Sequence, residues 1–177
     1  MDWTDQRDAL LGAVPAVPDA LRDLRSPSIY AWWDLDGAPT QFWPTGFPDV
    51  VTSRPLYVGI ARTTLAVRGG GMHLKTTRIS TLRRSLVALL VDELELRDQI
   101  VPGPGQKFGL TAEGDSLLNF WMGNNLHVTW HDTPEPGAHE RLIVGDLMPP
   151  LNDVFAHDGP YWKAMRARHK ELRARFD

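Results

Sequence analysis

Glu140 has Ile143, Val144 and Leu147 at +3, +4 and +7, so on a helix its carboxylate shares an apolar face. A carboxylate turned inward must find a cation or give up its charge. Its partner is a bound metal ion or an arginine in a structural ion pair, and the segment alone does not separate the two. Two tyrosines offer a second kind of chemistry. Tyr30 lies in Ser-Ile-Tyr-Ala-Trp-Trp and Tyr57 in Leu-Tyr-Val-Gly-Ile-Ala, both of which read as strands. Alternation sets Tyr30 and Trp32 on the face opposite Ile29, Ala31 and Trp33, and Tyr57 and Gly59 on the face opposite Leu56, Val58 and Ile60. If the apolar faces align, both phenols emerge on one side, and Gly59 leaves room beside Tyr57 for a substrate or a water. Taken singly, each tyrosine reads as an ordinary half-buried sheet residue.

Arg68 follows the second strand closely enough to reach the face that bears the tyrosines. The three glycines after it, Gly69 to Gly71, lack the spacing of either nucleotide-binding fingerprint and read as a turn. His73 is a phosphate ligand or proton carrier, or else a solvated surface residue. Asn152, after Pro149-Pro150-Leu151, either serves the site or caps a turn. The stretch from Val50 to Val91 contains no Asp or Glu but carries Arg54, Arg62, Arg68, Lys75, Arg78, Arg83 and Arg84, a local charge of +7 in a chain of net charge −3. Segregation of this kind lets an acidic protein present a basic face to phosphate. Arg62, Lys75, Arg78, Arg83 and Arg84 are the expected nucleic-acid contacts, with a merely solvated face as the alternative.

The elements that must hold these groups follow from pattern. The segment to Arg25 reads as one or two short helices broken by Pro15 and Pro18. The two tyrosine strands are neighbours, paired antiparallel across a turn and long loop from Asp36 to Pro48. A helix starts at Ser80 or Thr81, with Leu82, Leu86, Leu89, Leu90 and Leu94 at helical spacing and Arg84 on the opposite, water-facing side. Val101 to Gln106 reads as a loop, Leu117 to Met122 as a helix, and Leu126 to Trp130 as a strand. A short helix over His139 to Leu147 stops at Met148-Pro149-Pro150. A basic helix with Lys163, Arg166, Arg168, Lys170, Arg173 and Arg175 ends the chain.

Composition sets the outer bounds. The 177 residues suffice for one domain with a real core, and 42% hydrophobic against 23% charged is an ordinary globular balance. There are no cysteines, which removes disulfides, thiol nucleophiles and Cys-based zinc sites. His127 and His131 share a strand face but lack a third ligand, which argues against zinc. The polar, acidic start carries no signal-peptide pattern, and no apolar run would span a bilayer, so a soluble cytoplasmic protein is expected.

In order, these residues resemble the motifs of the GIY-YIG nuclease superfamily, and in particular small bacterial GIY-YIG-like proteins. Ser28-Ile29-Tyr30 stands at the first motif and Tyr57-Val58-Gly59 at the second. Arg68 matches the arginine of the following helix, and His73 a histidine often found just beyond it. Glu140, in His-Glu-Arg-Leu-Ile, matches the metal-binding glutamate, and Asn152 the terminal asparagine. The match runs from about Ser28 to Asn152. His73 to Leu90 and Trp121-Met122 also look like boxes shared with such bacterial proteins. Two departures stand out. Ser28 replaces glycine, which the backbone tolerates if no positive φ is needed, and the interval between the tyrosines is long. The aromatic residues around that insertion, Trp32, Trp33, Phe42, Trp43 and Phe47, stack on bases or form a satellite hydrophobic cluster, the second being favoured.

The resemblance implies an α/β (α+β) fold, a small antiparallel sheet of about three strands flanked by helices, in a single domain over 1–177. It implies a DNA endonuclease, with RNA as another possible partner, and a divalent metal cofactor, Mg2+ or Mn2+, held by Glu140. It further implies Arg68 stabilising charge on the phosphate, Asn152 orienting the site, and a tyrosine activating water with its pKa lowered by nearby cations. Tyr57 is the first choice for that base and Tyr30 the second. Two other classes remain open: a nucleic-acid-binding module that keeps the fold without activity, and a protein-interaction domain using the Trp-rich loop.

Overall fold

The computed structural model describes residues 2–34, 54–105, 107–157 and 160–176. A first helix, α1 (Trp3–Gly12), opens with a reciprocal cap between Asp2 and Asp5. A 3-10 turn over Pro18–Asp23 follows. The central strand, β1 (Ser28–Trp33), is flanked by β2 (Tyr57–Ala61) on one side. On the other side lies β5 (His127–Asp132), and both pairings are antiparallel. This is the three-stranded antiparallel sheet flanked by helices that the resemblance implied. Ser28 takes no positive φ. Its hydroxyl donates to the Ser26 carbonyl at 3.1 Å and the Asp132 carboxylate at 2.8 Å.

Every residue of β1 is buried, because the sheet has a core on each face and β1 runs between them. Tyr30 and Trp32 face the larger core with α2 (Thr81–Leu90), α3 (Ala112–Asn125) and α5 (Pro160–Arg173). Ile29, Ala31 and Trp33 face the smaller one, closed by Leu10 of α1 and by Ile143, Val144 and Leu147 of α4 (Glu140–Leu147). Trp32 and Trp33 are therefore core residues rather than base-stacking ones; Phe42, Trp43 and Phe47 lie outside the described residues. Burying an aliphatic side chain of this kind stabilises by about 1.5–3 kcal/mol, so the alternation that aims the tyrosines is enforced from both sides.

Both edges of the sheet are covered. Ala16 exchanges two backbone hydrogen bonds of 2.9 Å with Val128 on the β5 edge. On the β2 edge, Leu151 N–H donates to the Leu56 carbonyl at 2.9 Å. The helix α4 stops where Met148 takes a left-handed conformation, φ 45°, ahead of Pro149.

Two expectations need correction here. The stretch expected as a loop, Val101 to Gln106, begins inside a strand and joins a hairpin: β3 (Ile100–Pro102) pairs antiparallel with β4 (Phe108–Leu110). It was missed because three-residue strands are too short to show alternation. The helix α2 has no water-facing side, since Leu82 to Leu90 are all buried. It packs against α5, and its apolar stripe covers only part of its contacts.

Candidate active site

In the register of β1 and β2, Tyr30 stands opposite Gly59 and Trp32 opposite Tyr57. The two phenols thus share one face, a diagonal apart. The gap expected at Gly59 is absent because the tyrosine rings fill it. A Cβ at Gly59 would lie 2.6 Å from Tyr30 Oη, 2.7 Å from Tyr30 Cζ and 2.9 Å from Tyr57 Cε1. Glycine here lets two rings close over the strand.

Tyr30 is fully buried, and its hydroxyl is 2.7 Å from His73 Nε2. His73 Nδ1 is in turn 2.7 Å from Ser80 Oγ, the N-cap of α2, which also accepts from Arg83 N–H at 3.2 Å. The imidazole is enclosed by the rings of Tyr30, Trp32 and Tyr57. Burial, reinforced by Arg68 and Arg83, holds it well below the usual histidine range, so it is neutral near pH 7. This corrects the expectation for His73. With no exposed surface and both ring nitrogens engaged, it neither meets phosphate nor sits solvated; it braces Tyr30 from behind.

Arg68 projects from the π-helical segment Ala66–His73 and is half-buried, with Nη1 3.4 Å from Met72 Sδ. Its guanidinium acts on both phenols. Burial works against its charge, but Tyr30 and Tyr57 more than offset that and leave its pKa raised. For the tyrosines, burial dominates in the other direction. Tyr30 is pushed well above its ordinary value by burial, and Tyr57 is raised by burial, with Arg68 pulling each back and Arg84 also pulling on Tyr57. A tyrosine with a lowered pKa was expected, and the free protein shows the opposite, because removing a phenolate from water outweighs the two nearby arginines.

Glu140 begins α4. Burial raises its carboxyl above the usual range, opposed by Arg62 and then Arg68. It makes no ion pair among the described residues, and Arg62 and Arg68 act on it from farther away. Asn152 sits on the outer edge of β2. Its Oδ1 accepts from Val58 N–H at 2.9 Å and its Nδ2 donates to the Val58 carbonyl at 2.8 Å. The amide copies the bonding of a neighbouring strand and pins the residue between Tyr57 and Gly59.

Of the expected phosphate contacts, Arg62, Lys75 and Arg78 are exposed. The Arg62 guanidinium lies over Gly137, where a Cβ would be 2.9 Å from Nη1. Arg83 and Arg84 are corrections. Arg83 has no exposed surface and donates to the His73 carbonyl at 2.8 Å, Asp115 Oδ1 at 2.8 Å, Thr77 Oγ1 at 3.1 Å and Asn119 Oδ1. Arg84 is buried, with its donors on the carbonyls of Thr77 and Arg78 and on Thr81 Oγ1. Sequence reasoning missed Asp115, which also accepts from Thr77 N–H at 2.9 Å and its hydroxyl at 2.7 Å, and so ties the His73 loop to α3. Met122 Sδ is 3.7 Å from Arg83 Nη1, so the two sequence boxes meet at this guanidinium. One signal was available: Leu86, Val87 and Leu90 stand at +3, +4 and +7 from Arg83, the same apolar pattern that singled out Glu140.

The three-stranded antiparallel sheet and its flanking helices agree with the comparison to known families. A family model described as the GIY-YIG catalytic domain matches residues 29–175, and the chain belongs to that family. The family's members are generally endonucleases, so a nuclease-type function acting on nucleic acid follows at that level. No curated protein and no solved structure matches the chain. Among the described residues no helix is long and apolar enough to cross a membrane.

Family members typically use a divalent metal, and the residues here fit one. Glu140 is a partly desolvated carboxylate that forms no direct ion pair among the described residues, where no group of three ligating side chains occurs either. A single carboxylate suits a hard divalent ion that keeps most of its waters and takes further oxygens from phosphate.

Proposed function

We propose that the chain is a metal-dependent endonuclease that hydrolyses phosphodiester bonds in DNA, with Tyr57, Arg68 and Glu140 in contact with the reacting groups. The supporting observation is the placement of Arg68. One half-exposed guanidinium acts on both buried phenols and on Glu140.

Glu140 would hold the Mg2+ or Mn2+ ion, which when bound supplies Lewis-acid stabilisation of charge on the phosphate and the leaving oxygen. Arg68 donates to a non-bridging phosphate oxygen and offsets the charge that grows there. Burial keeps Tyr57 protonated in the free protein, so it would first lose its phenol proton to solvent, with Arg68 and the charge of a bound metal ion offsetting that burial. The phenolate Oη then takes the proton of the attacking water as the new P–O bond forms and the old one breaks. Tyr57 is favoured over Tyr30 because it is 6% exposed while Tyr30 is 0% exposed and bonded to His73. Tyr30 orients the neighbouring ring and water. Asn152 keeps β2 in register, and with it the height of Tyr57 above the sheet.

The test compares wild type, Glu140→Gln and Tyr57→Phe on supercoiled plasmid with Mg2+, with Mn2+ and with EDTA. The expected result is metal-dependent nicking, abolished in Glu140→Gln and reduced about 10²-fold or more in Tyr57→Phe. Nicking by Glu140→Gln at the wild-type rate would overturn the assignment. Binding without nicking by wild type would leave a nucleic-acid-binding module.

A further inference from the structure

Away from the tyrosine face, α2, β4 and α5 enclose a cleft of about 710 Å³. Its lining carries Arg84, Lys107, Arg166, Lys170 and Arg173 against one acid, Asp153. Arg166 is held over the Trp162 ring at 5.1 Å and stands 4.0 Å from Asp153. Lys107 and Lys170 are exposed. His169, also in the lining, packs on Phe108 and has a buried Nε2 without a hydrogen-bond partner. With a pKa pushed down to about 4, chiefly by burial and then by Arg84, it is neutral and can donate or accept at that atom.

The cleft neighbours the candidate active site through two residues of its wall. Arg84 forms part of its wall and acts on Tyr57. Asp153, on the same wall, follows Asn152, which is bonded to β2. The position of α5 is firm: Met165 and Leu172 are buried in the main core, and Arg168 Nε donates to the Ala88 carbonyl of α2 at 3.1 Å. The cations are therefore presented by packed elements and not by a loose tail.

We propose that this cleft binds the sugar-phosphate backbone of the substrate DNA beside the scissile phosphate, leading the strand from α5 past Arg84 to Tyr57. The inference rests on the nuclease reading for its substrate. Charge complementarity selects the occupant, since a groove lined by Lys107, Arg166, Lys170 and Arg173 against Asp153, with the charge of buried Arg84 behind them, matches a polyanion with regularly spaced charges. Lysines on flexible stems at the rim suit backbone contacts that carry no sequence preference. The partner class is DNA backbone, not an acidic protein, because the chain belongs to a family that acts on nucleic acid and the cleft lies next to the proposed nuclease site.

The experiment uses full-length protein and the double variant Lys107→Gln/Lys170→Gln, which alters two exposed rim residues. Binding of fluorescein-labelled DNA is followed by anisotropy in EDTA over a series of salt concentrations, and of fluorescein-labelled polyglutamate as a control. The expected variant affinity for DNA is about tenfold lower, with a salt slope reduced by about 1.5–2, as two lost phosphate contacts require. In the cleavage assay KM rises while kcat stays unchanged. Arg166→Gln should repeat the effect at about half the size. Unchanged affinity and slope in the variants would overturn the proposal while leaving the nuclease reading intact. A loss confined to polyglutamate would overturn it in favour of a protein partner. Wild type that binds no DNA would overturn both. Because binding is read in EDTA, a protein that binds but never cuts would fail only the nuclease reading.

Discussion

Substituting Gly59 by alanine adds one methyl group at the point where both catalytic-face tyrosines converge. Gly59 has no positive φ, so alanine meets no backbone strain, and the effect is steric. The new Cβ would lie 2.6 Å from Tyr30 Oη, 2.7 Å from Tyr30 Cζ and 2.9 Å from Tyr57 Cε1. Ordinary carbon contacts begin near 3.5 Å, so a ring must retreat by about 1 Å. Tyr30 has nowhere to go, being enclosed in the core and bonded to His73 at 2.7 Å. Overpacking of this kind costs about 1–3 kcal/mol. The smaller unfolded-state entropy of alanine offsets about 0.4–1 kcal/mol of it. A net loss of about 1 kcal/mol lowers Tm by about 2–4 °C in a chain of this size. Activity should fall further, since misplacing a reacting group by 1 Å costs about 10²-fold in rate.

The assay for Gly59→Ala is a thermal melt together with kcat/KM for plasmid nicking, repeated with Tyr30→Phe and the double variant. Tyr30→Phe deletes the oxygen in the closest contact, so the cycle should show a favourable coupling of at least about 0.5 kcal/mol. Rescue should be partial, because the contact to Cζ remains. Wild-type melting and rate in Gly59→Ala, or strict additivity in the cycle, would refute the claim that the rings close over this glycine.

Other outcomes follow from the buried charges. Arg83→Met should lower stability in urea by about 3–5 kcal/mol, since it strands Asp115 and the carbonyl of His73, and a wild-type denaturation curve would show the network to be dispensable. Stability should also fall with acid from about pH 6.5. Both His73 and His169 have folded pKa values depressed by burial below the unfolded value, so the unfolded chain binds more protons in that range and the stabilisation present above pH 6.5 is lost as pH drops. For His169, pushed down to about 4, the contribution lost by pH 4 is on the order of 3 kcal/mol. Denaturation midpoints that stay flat from pH 8 to 5 would contradict it.

The sheet was legible in the sequence because alternation is a strong signal when both faces are buried. Ile29, Ala31 and Trp33 could not exchange faces with Tyr30 and Trp32 without moving the tyrosines out of their core. The hairpin of β3 and β4 was not legible, for its strands hold three residues each and two prolines with two glycines between Val101 and Gln106 dominate the local pattern.

The site divided along a different line. Residue types were readable, and Tyr30, Tyr57, Arg68 and Glu140 do converge electrostatically; exposure was not readable. His73, Arg83 and Arg84 were expected at the phosphate because charge and imidazole chemistry belong there, yet all three are buried. The error came from treating a basic block as one surface. A guanidinium can enter a core when fixed acceptors use its donors. Asp115 supplies the acceptor for Arg83 from α3, a partner 32 residues away that no local pattern announces. What remains exposed in the block is Arg54, Arg62, Lys75 and Arg78, while the cation-lined cleft comes from joining Arg84 to Lys107 and to α5. In the proposed cleft the cations are gathered by packing between distant segments, and the run of arginines along the sequence belongs in large part to the scaffold.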